Sequence, residues 1–164
     1  MTPLPTTLER DAAGRLVYAA IDSPKLALSG TPRSCWLVAI DDSDYSLRAT
    51  AETLRITGNL GHQGLHLIHV LPWLAKEAAE AELIQRGWDH TARARSLLDL
   101  SGQAWTLHIA LGDPAEAIIA RSKKLDGCCI VIGSRGLGPV SNVLFGSVSN
   151  QVLHLATTPV LVVK

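Results

Sequence analysis

Short apolar runs alternate with longer stretches of helical pattern from residue 35 to the end of the chain. The runs lie at 35–40, 65–70, 104–109, 128–132 and 159–163. Apolar strands that alternate with helices are typical of a parallel sheet that is covered on both faces. We therefore predict an α/β domain with a single doubly wound, five-stranded parallel sheet and helices on both faces.

Capping signals mark where the intervening helices begin. Ser43 can cap a helix that runs to about residue 60. The stretch 73–100 is rich in Ala, Glu, Leu and Arg, and Gly87 is its weak point, where the helix can divide in two. A later helix has a capping residue, a proline at its first position and a glutamate that can close a capping box: Asp113, Pro114 and Glu116.

The first 34 residues differ from the rest of the chain. They contain several prolines and threonines and one apolar stretch, 16–21, which is a candidate extra strand or hairpin arm. We therefore divide the chain into an N-terminal extension of undetermined structure, 1–34, and a domain, 35–164.

Composition narrows the classes of function. A chain of 164 residues fits one domain. Lys+Arg and Asp+Glu balance at 15 each, so no basic field would recruit nucleic acid or an anionic membrane. No apolar run is long enough for a membrane span, and the N-terminus lacks the order of a secretion signal. We expect a soluble, cytoplasmic protein.

Cysteine and histidine spacing predicts no metal site. The cysteines Cys35, Cys128 and Cys129 match neither a zinc site nor a redox CxxC motif, and packing is their predicted role. His66 and His69 are three apart in a predicted strand and so face opposite sides of the sheet.

A glycine pattern follows the fourth apolar run. Gly133-Ser134-Arg135-Gly136 ends the predicted strand, and Gly146-Ser147 opens a helix nine residues later. Glycine lets backbone N–H groups approach an anion, and a helix N-terminus adds unpaired donors and partial positive charge. Asp41 ends the first strand at the same edge of the sheet, where ligands of open α/β sheets bind. The pattern therefore indicates a phosphate cradle.

Other interpretations of these residues stay open at this point. Glycines are also common in turns that end strands or precede helices. Asp41 could simply cap the first helix, and Arg135 could be a solvated loop cation.

Several nucleotide-binding patterns are absent. Neither GxxxxGK[ST] nor GxGxxG is present at the glycines after the fourth run, which excludes P-loop NTPases and ordinary dinucleotide dehydrogenases. The HxGH and SGGxDS signatures of nucleotidyl transfer are also missing. No residue beside the cradle is an evident general base, so no catalytic residue is predicted.

The pattern G-x2-G-x9-G-[ST] resembles that of the ATP-binding branch of the universal stress protein family. The resemblance covers about 35–164, through segments in the same order: Val38-Ala39-Ile40-Asp41 with Ser43, Leu67-Ile68-His69-Val70, Gly112-Asp113-Pro114, Ile130-Val131-Ile132-Gly133-Ser134-Arg135-Gly136, Gly146-Ser147-Val148-Ser149 and Pro159-Val160-Leu161-Val162-Val163. It implies the adenine nucleotide alpha hydrolase-like fold.

The resemblance also implies roles for individual residues. Asp41 would contact the ribose or a phosphate-linked water or metal. The adenine would be walled by three apolar side chains: Ile40, Val70 and Ile132. The ribose and phosphates would be approached by Gly133, Arg135 and Gly136. Backbone N–H groups that hold the phosphates would come from Gly146, Ser147 and Val148, with the Ser147 hydroxyl as a further donor.

One residue departs from the family pattern. The family often has glycine where this chain has Asp42. A second carboxylate would repel a polyphosphate unless it points away or helps to hold Mg²⁺.

The expected function is that of an ATP-binding stress-response regulator. Its expected cofactor is ATP, with Mg²⁺ as a candidate second component. ATP would order 137–145 and so gate binding to an unidentified protein partner, with at most slow hydrolysis. The resemblance implies a homodimer through the last strand, Val160–Val163. The alternative is a nucleotide-independent dimerisation or interaction module of the same fold, and a flavin or AMP-type ligand is a further option.

Overall fold

The computed structural model describes residues 2–25, 34–58, 60, 64–72, 80–135 and 145–164. Its strands are β1 (Thr7–Arg10), β2 (Leu16–Asp22), β3 (Cys35–Ala39), β4 (Gly64–Leu71), β5 (Thr106–Leu111), β6 (Cys129–Gly133) and β7 (Val160–Val163). Its helices are α1 (Asp44–Thr57), α2 (Glu80–His90), α3 (Ala92–Leu100), α4 (Pro114–Lys124) and α5 (Ser147–Leu155).

The strands form one mixed sheet in the order β1-β2-β5-β4-β3-β6-β7. The five strands from β3 to β7 run parallel, as the sequence predicts. The prediction of a five-stranded parallel sheet is nevertheless wrong in extent, because β1 and β2 add two antiparallel strands at the β5 edge. The stretch that supplies β2 is apolar and largely buried, which explains why it joins the core.

The N-terminal hairpin is tied to the domain by side chains as well as by the sheet. Glu9 forms ion pairs with Arg121 and Lys124 of α4, at 3.4 and 3.0 Å. Arg10 pairs with Glu80 at the start of α2. Residues Thr7–Asp22 therefore belong to the same folded unit as the strands that follow.

Helices cover both faces of the sheet, as predicted. On one face α1, α2 and α3 bury residues against the sheet, including Ala49, Leu83 and Leu98. On the other face α4 and α5 do so, including Ile118 and Val152. No helix among the described residues is long and apolar enough to cross a bilayer.

The helical stretch before β5 is divided, but Thr91 rather than Gly87 is the point of division. A Cβ at Gly87 would lie 2.7 Å from the side chain of Ile109, so glycine lets α2 pack closely on β5. At the point where α2 ends and α3 begins, the buried Thr91 hydroxyl donates to the Gly87 carbonyl at 2.8 Å.

Two of the three cysteines are joined, which the sequence analysis did not predict. Cys35 and Cys128 form a disulfide between β3 and the residue before β6, and Cys129 is free. The two partners are 93 residues apart in the chain, so only the pairing of β3 with β6 reveals their proximity.

Candidate functional site

A cavity of about 460 Å³ opens at the carboxyl ends of the parallel strands. It lies where β3 is flanked by β4 on one side and β6 on the other, which is the point at which the strand order reverses. Ligands of open α/β sheets bind in this position. We call it the sheet-edge cavity.

The structure brings the predicted site residues together around this cavity. Those that it describes all line the cavity: Ile40, Asp41, Val70, Ile132, Gly133, Arg135, Gly146, Ser147 and Val148. Gly136 lies outside the described residues.

Sequence reasoning missed several other lining residues: Ala39, Ser46, Ile68, Pro114, Ile118, Phe145, Ser149 and Asn150. Strand alternation could have identified Ile68, because it shares a face of β4 with Val70. Pro114 and Ile118 belong to α4, whose N-terminus follows β5 at the same edge of the sheet. Phe145 has no comparable signal in the sequence.

One part of the cavity wall is apolar. Ile68, Ile118 and Ile132 are all nearly inaccessible to solvent and present aliphatic surface to the cavity. Val70 and Pro114 extend this surface. The wall suits a flat, weakly polar group such as a nucleobase, because most ligand pockets combine such surface with a few placed polar groups.

The N-terminus of α5 supplies the polar part. Gly146 is the N-cap and has no side chain to accept from the first-turn N–H groups. Its own N–H donates to the Ser134 carbonyl at 2.7 Å, and the Ser149 hydroxyl donates to the same oxygen at 3.1 Å. The first four N–H groups at a helix start have no intrahelical acceptor, so those of Ser147, Val148 and Ser149 are the donors that remain for an anion.

Asp41 lines the cavity and also supports the start of α1. Its Oδ1 accepts from the Ser43 N–H at 3.1 Å and from the Ser43 hydroxyl at 2.5 Å. Ser43 in turn is the N-cap of α1 and accepts from the Ser46 N–H at 3.1 Å. The capping interpretation and the site interpretation of Asp41 are therefore compatible, since one carboxylate serves the helix start and the cavity wall.

Asp42 stands outside the sheet-edge cavity. It is exposed and is not among the cavity's lining residues. Its backbone φ is 66°, in the left-handed region that favours glycine. The departure from the family pattern thus introduces backbone strain rather than a carboxylate in the cavity.

Gly133 is required by packing. A Cβ at this position would lie 2.7 Å from Cβ of Tyr45 and 2.9 Å from its carbonyl carbon. The first turn of α1 therefore rests on the last residue of β6 with no room for a side chain between them. A larger residue here would displace α1, which carries Ser46 into the cavity wall.

A buried histidine fixes the end of β3 beside Asp41. His69 Nδ1 donates to the Ile40 carbonyl at 2.7 Å, because that oxygen can only accept. His69 Nε2 is then the acceptor for His90 Nδ1, 3.1 Å away. Burial lowers the pKa of His69, which favours the neutral ring that both contacts require.

Among the described lining residues, the charged side chains are Asp41 and Arg135. Arg135 can attract phosphate oxygens, and the Asp41 carboxylate can accept from a hydroxyl or bind a divalent cation. The arrangement is suited to binding a molecule with an apolar end and an anionic end.

Comparison with known proteins places this geometry in a family. A sequence model described as the universal stress protein family matches residues 36–164. Universal stress protein YxiE of Bacillus subtilis is 30% identical in an alignment of 145 positions that covers 78% of this chain and 97% of that protein.

Two solved structures share the fold. A universal stress protein from Archaeoglobus fulgidus in complex with dAMP is 24% identical, has a TM-score of 0.61, and is matched over 82% of this chain and 100% of its own. A family protein from Arabidopsis thaliana with AMP bound is 23% identical and has a TM-score of 0.59. The match covers 80% of this chain and 91% of that one.

Proposed function

The chain belongs to the universal stress protein family, and we propose that it is a stress-response protein that binds ATP in the sheet-edge cavity. The observation that carries the proposal is the cavity itself, which is lined both by apolar side chains and by the N-terminus of α5, where no side chain caps the first turn. Nucleotide complexes of two proteins with this fold, with dAMP and with AMP, support the adenine part.

A polyphosphate suits the polar end better than a monophosphate. The Ser147 and Val148 N–H groups, the Ser147 hydroxyl and the Arg135 guanidinium offer several donors within one lining. A chain of two or three phosphates could accept hydrogen bonds from all of these donors at once. Asp41, which lines the same cavity, would hold the ribose or a Mg²⁺ ion. This placement of donors argues for ATP over the flavin or AMP alternative.

Two measurements test nucleotide binding. Freshly purified protein is denatured and the released nucleotide is identified by mass spectrometry, and emptied protein is then titrated calorimetrically with ATP and Mg²⁺. We expect ATP or ADP at close to one per chain and measurable binding heat. Protein that yields no nucleotide and gives no heat would refute the proposal and leave the interaction-module function.

ATP occupancy would then regulate binding to a protein partner. The proposed gate, 137–145, lies outside the described residues except for Phe145, which lines the cavity. A ligand shifts such an equilibrium only if it binds one state better than the other. Hydrogen exchange with and without ATP tests the gate, and identical protection across 137–145 would refute it. The role requires no catalytic residue and tolerates at most slow hydrolysis.

One observation favours a second function, assembly that is independent of nucleotide. β7 is an edge strand of apolar residues that pairs only with β6 among the described strands. An apolar edge invites pairing with a second copy of the chain. We propose a homodimer through Val160–Val163, and sedimentation with and without ATP separates the functions. If the protein binds no nucleotide and its dimer is unchanged by ATP, the nucleotide-independent interaction module is favoured.

A further inference from the structure

A second cluster of chemically reactive side chains lies at the opposite end of the sheet from the cavity. Cys35 begins β3, Cys128 directly precedes β6, and His66 is near the start of β4. One ligand atom from each, a sulfur or a ring nitrogen, lies within 4.8 Å of the others. Asp41 comes six positions after Cys35 in extended chain, so the cluster is about 20 Å from the cavity mouth.

The sheet register explains why these three residues meet. Trp36 pairs with Cys129 and Leu37 pairs with His66. Cys35 is therefore directly opposite Cys128, and it shares a face with Leu37 and hence with His66 because side chains two apart point the same way. β4, β3 and β6 are adjacent, so the three side chains form a row across neighbouring strands.

Two thiolates and an imidazole are the ligand types that zinc prefers in proteins. We propose that reduced Cys35, reduced Cys128 and His66 bind one Zn²⁺ ion, with a water molecule or an exchangeable ligand in the fourth position. Two Zn–S bonds at a tetrahedral angle place the sulfurs about 3.8 Å apart. The Cα atoms of Cys35 and Cys128 are 4.6 Å apart on neighbouring strands, which permits that spacing.

A hydrogen-bonded chain behind His66 would orient it as a ligand. His66 Nδ1 lies 2.9 Å from His108 Nε2, and His108 Nδ1 lies 2.5 Å from the Tyr18 hydroxyl oxygen. If His66 ligates through Nε2, its Nδ1–H donates to His108, and His108 Nδ1–H donates to Tyr18. Metal-bound histidines commonly use their second nitrogen in this way. The Arg121 guanidinium lies 3.6 Å from the centre of the Tyr18 ring.

The disulfide and the zinc site are alternative states of the same two sulfurs. Reduction by a phosphine consumes one water molecule and converts the disulfide into two thiols, while the phosphine becomes its oxide. Binding of Zn²⁺ then releases the two thiol protons. The oxidised chain has no thiolate at either position and would lose the site.

The test uses full-length protein reduced with a phosphine and kept under nitrogen. Co²⁺ is added as a spectroscopic probe, followed by Zn²⁺ in competition with a chromophoric chelator. We expect one Co²⁺ per chain, a near-ultraviolet thiolate-to-cobalt band, and displacement of Co²⁺ by Zn²⁺. Reduced wild-type protein that shows no such band and takes up no Zn²⁺ would overturn the proposal, and this measurement needs no variant.

Matched variants identify the ligands. Cys35→Ser and Cys128→Ser should each abolish the thiolate band of a two-sulfur site, whereas Cys129→Ser, a change to the free cysteine beside Cys128, should retain it. His66→Gln should weaken Zn²⁺ binding, and His108→Phe should weaken it about 10–100-fold through the orienting bond. Exposed His154→Gln serves as the histidine control. Binding that survives Cys35→Ser but not Cys129→Ser would refute the assignment.

Discussion

The backbone carbonyl of Ser134 accepts a hydrogen bond from the backbone N–H of Gly146 at 2.7 Å. This bond joins the loop that leaves β6 to the N-terminus of α5, so the two halves of the glycine pattern meet directly. It also occupies the Gly146 N–H, a group that the family resemblance assigns to phosphate. The donors for an anion therefore begin one residue later.

Two substitutions of Ser147 distinguish the contribution of its backbone N–H to ATP binding from that of its hydroxyl. Proline is tolerated at the first position of a helix, and Gly146 has the extended ψ of 165° that a following proline requires. We expect Ser147→Pro to weaken ATP binding about 10–100-fold, as for loss of one hydrogen bond to a charged group. Ser147→Ala, which keeps the N–H, should have a smaller effect in calorimetry. Equal affinities for the two variants would mean that this N–H does not contact the nucleotide.

Replacement of Gly133 should destabilise the protein. In Gly133→Ala the added Cβ meets Tyr45, so α1 has to shift, and we expect a loss of about 1–3 kcal/mol in the free energy of unfolding. Urea denaturation measures it. Gly146→Ala is the comparison, since Gly146 has an ordinary φ of −66°. A Gly133→Ala protein as stable as wild type would show that α1 does not rest on this residue.

Relief of the backbone strain at Asp42 should stabilise the protein, in contrast to the substitution of Gly133. Asp42→Gly removes the left-handed penalty of a side chain, and we expect a gain of about 0.5–1 kcal/mol in thermal or urea denaturation. Asp42→Asn removes only the charge and keeps a residue that tolerates this conformation. If Asp42→Asn stabilises as much as Asp42→Gly, charge rather than backbone strain explains the effect.

Stability should fall in mild acid, and His69 should contribute to this fall together with His66 and His108, because burial lowers the pKa of all three. The pKa of His69 in the folded protein is lowered from 6.5, so the unfolded chain binds a proton first as the pH falls below that value. The stabilisation is therefore present above pH 6.5 and is lost below it, by up to about 1.4 kcal/mol per pH unit. A proton on Nε2 of His69 would also lie against the Nδ1–H of His90, and the hydrogen bond between these two rings would be lost.

Urea titrations between pH 7 and pH 5 measure this dependence. His69→Phe should show a shallower decline than wild type, although its stability at pH 7 is lower because the Ile40 carbonyl loses its donor. His154→Gln, at an exposed site, should follow the wild-type slope. An unchanged slope in His69→Phe would assign the acid sensitivity to other groups.

Dimerisation through β7 can be tested without disturbing the sheet. The Pro159 and Val163 carbonyls accept from Ile130 and Ser134 of the β6 side, so the N–H groups of Val160 and Val162 point away from β6. Val162→Pro removes an outward N–H and should shift the protein to monomer in sedimentation. Val162→Thr keeps the N–H and should remain dimeric. A dimeric Val162→Pro protein would place the interface elsewhere.

Local patterns predicted the parallel part of the fold and about half of the residues that line the cavity. Ile40 and Ile132 end apolar runs, and parallel strands bring such ends to one edge, so their neighbourhood follows from sequence. The antiparallel addition of β2 to β5 depends on which edge of the sheet is open, and one short apolar run does not contain that information. The same limit applies to Cys35 and Cys128, whose contact exists only through strand order.

The two borders of the sheet have opposite character. β1 is short and exposed, and its charged Glu9 and Arg10 are engaged with neighbouring helices, whereas β7 is apolar throughout. A border with charged residues discourages further strands, and an apolar border admits them. Among the described strands β7 is the one apolar edge, so pairing of β7 with a second copy would leave neither chain with an apolar edge of this sheet exposed. The N-terminal hairpin would thus leave each chain with a single edge through which it can pair. Assembly would then stop at a closed dimer and would not continue into a filament.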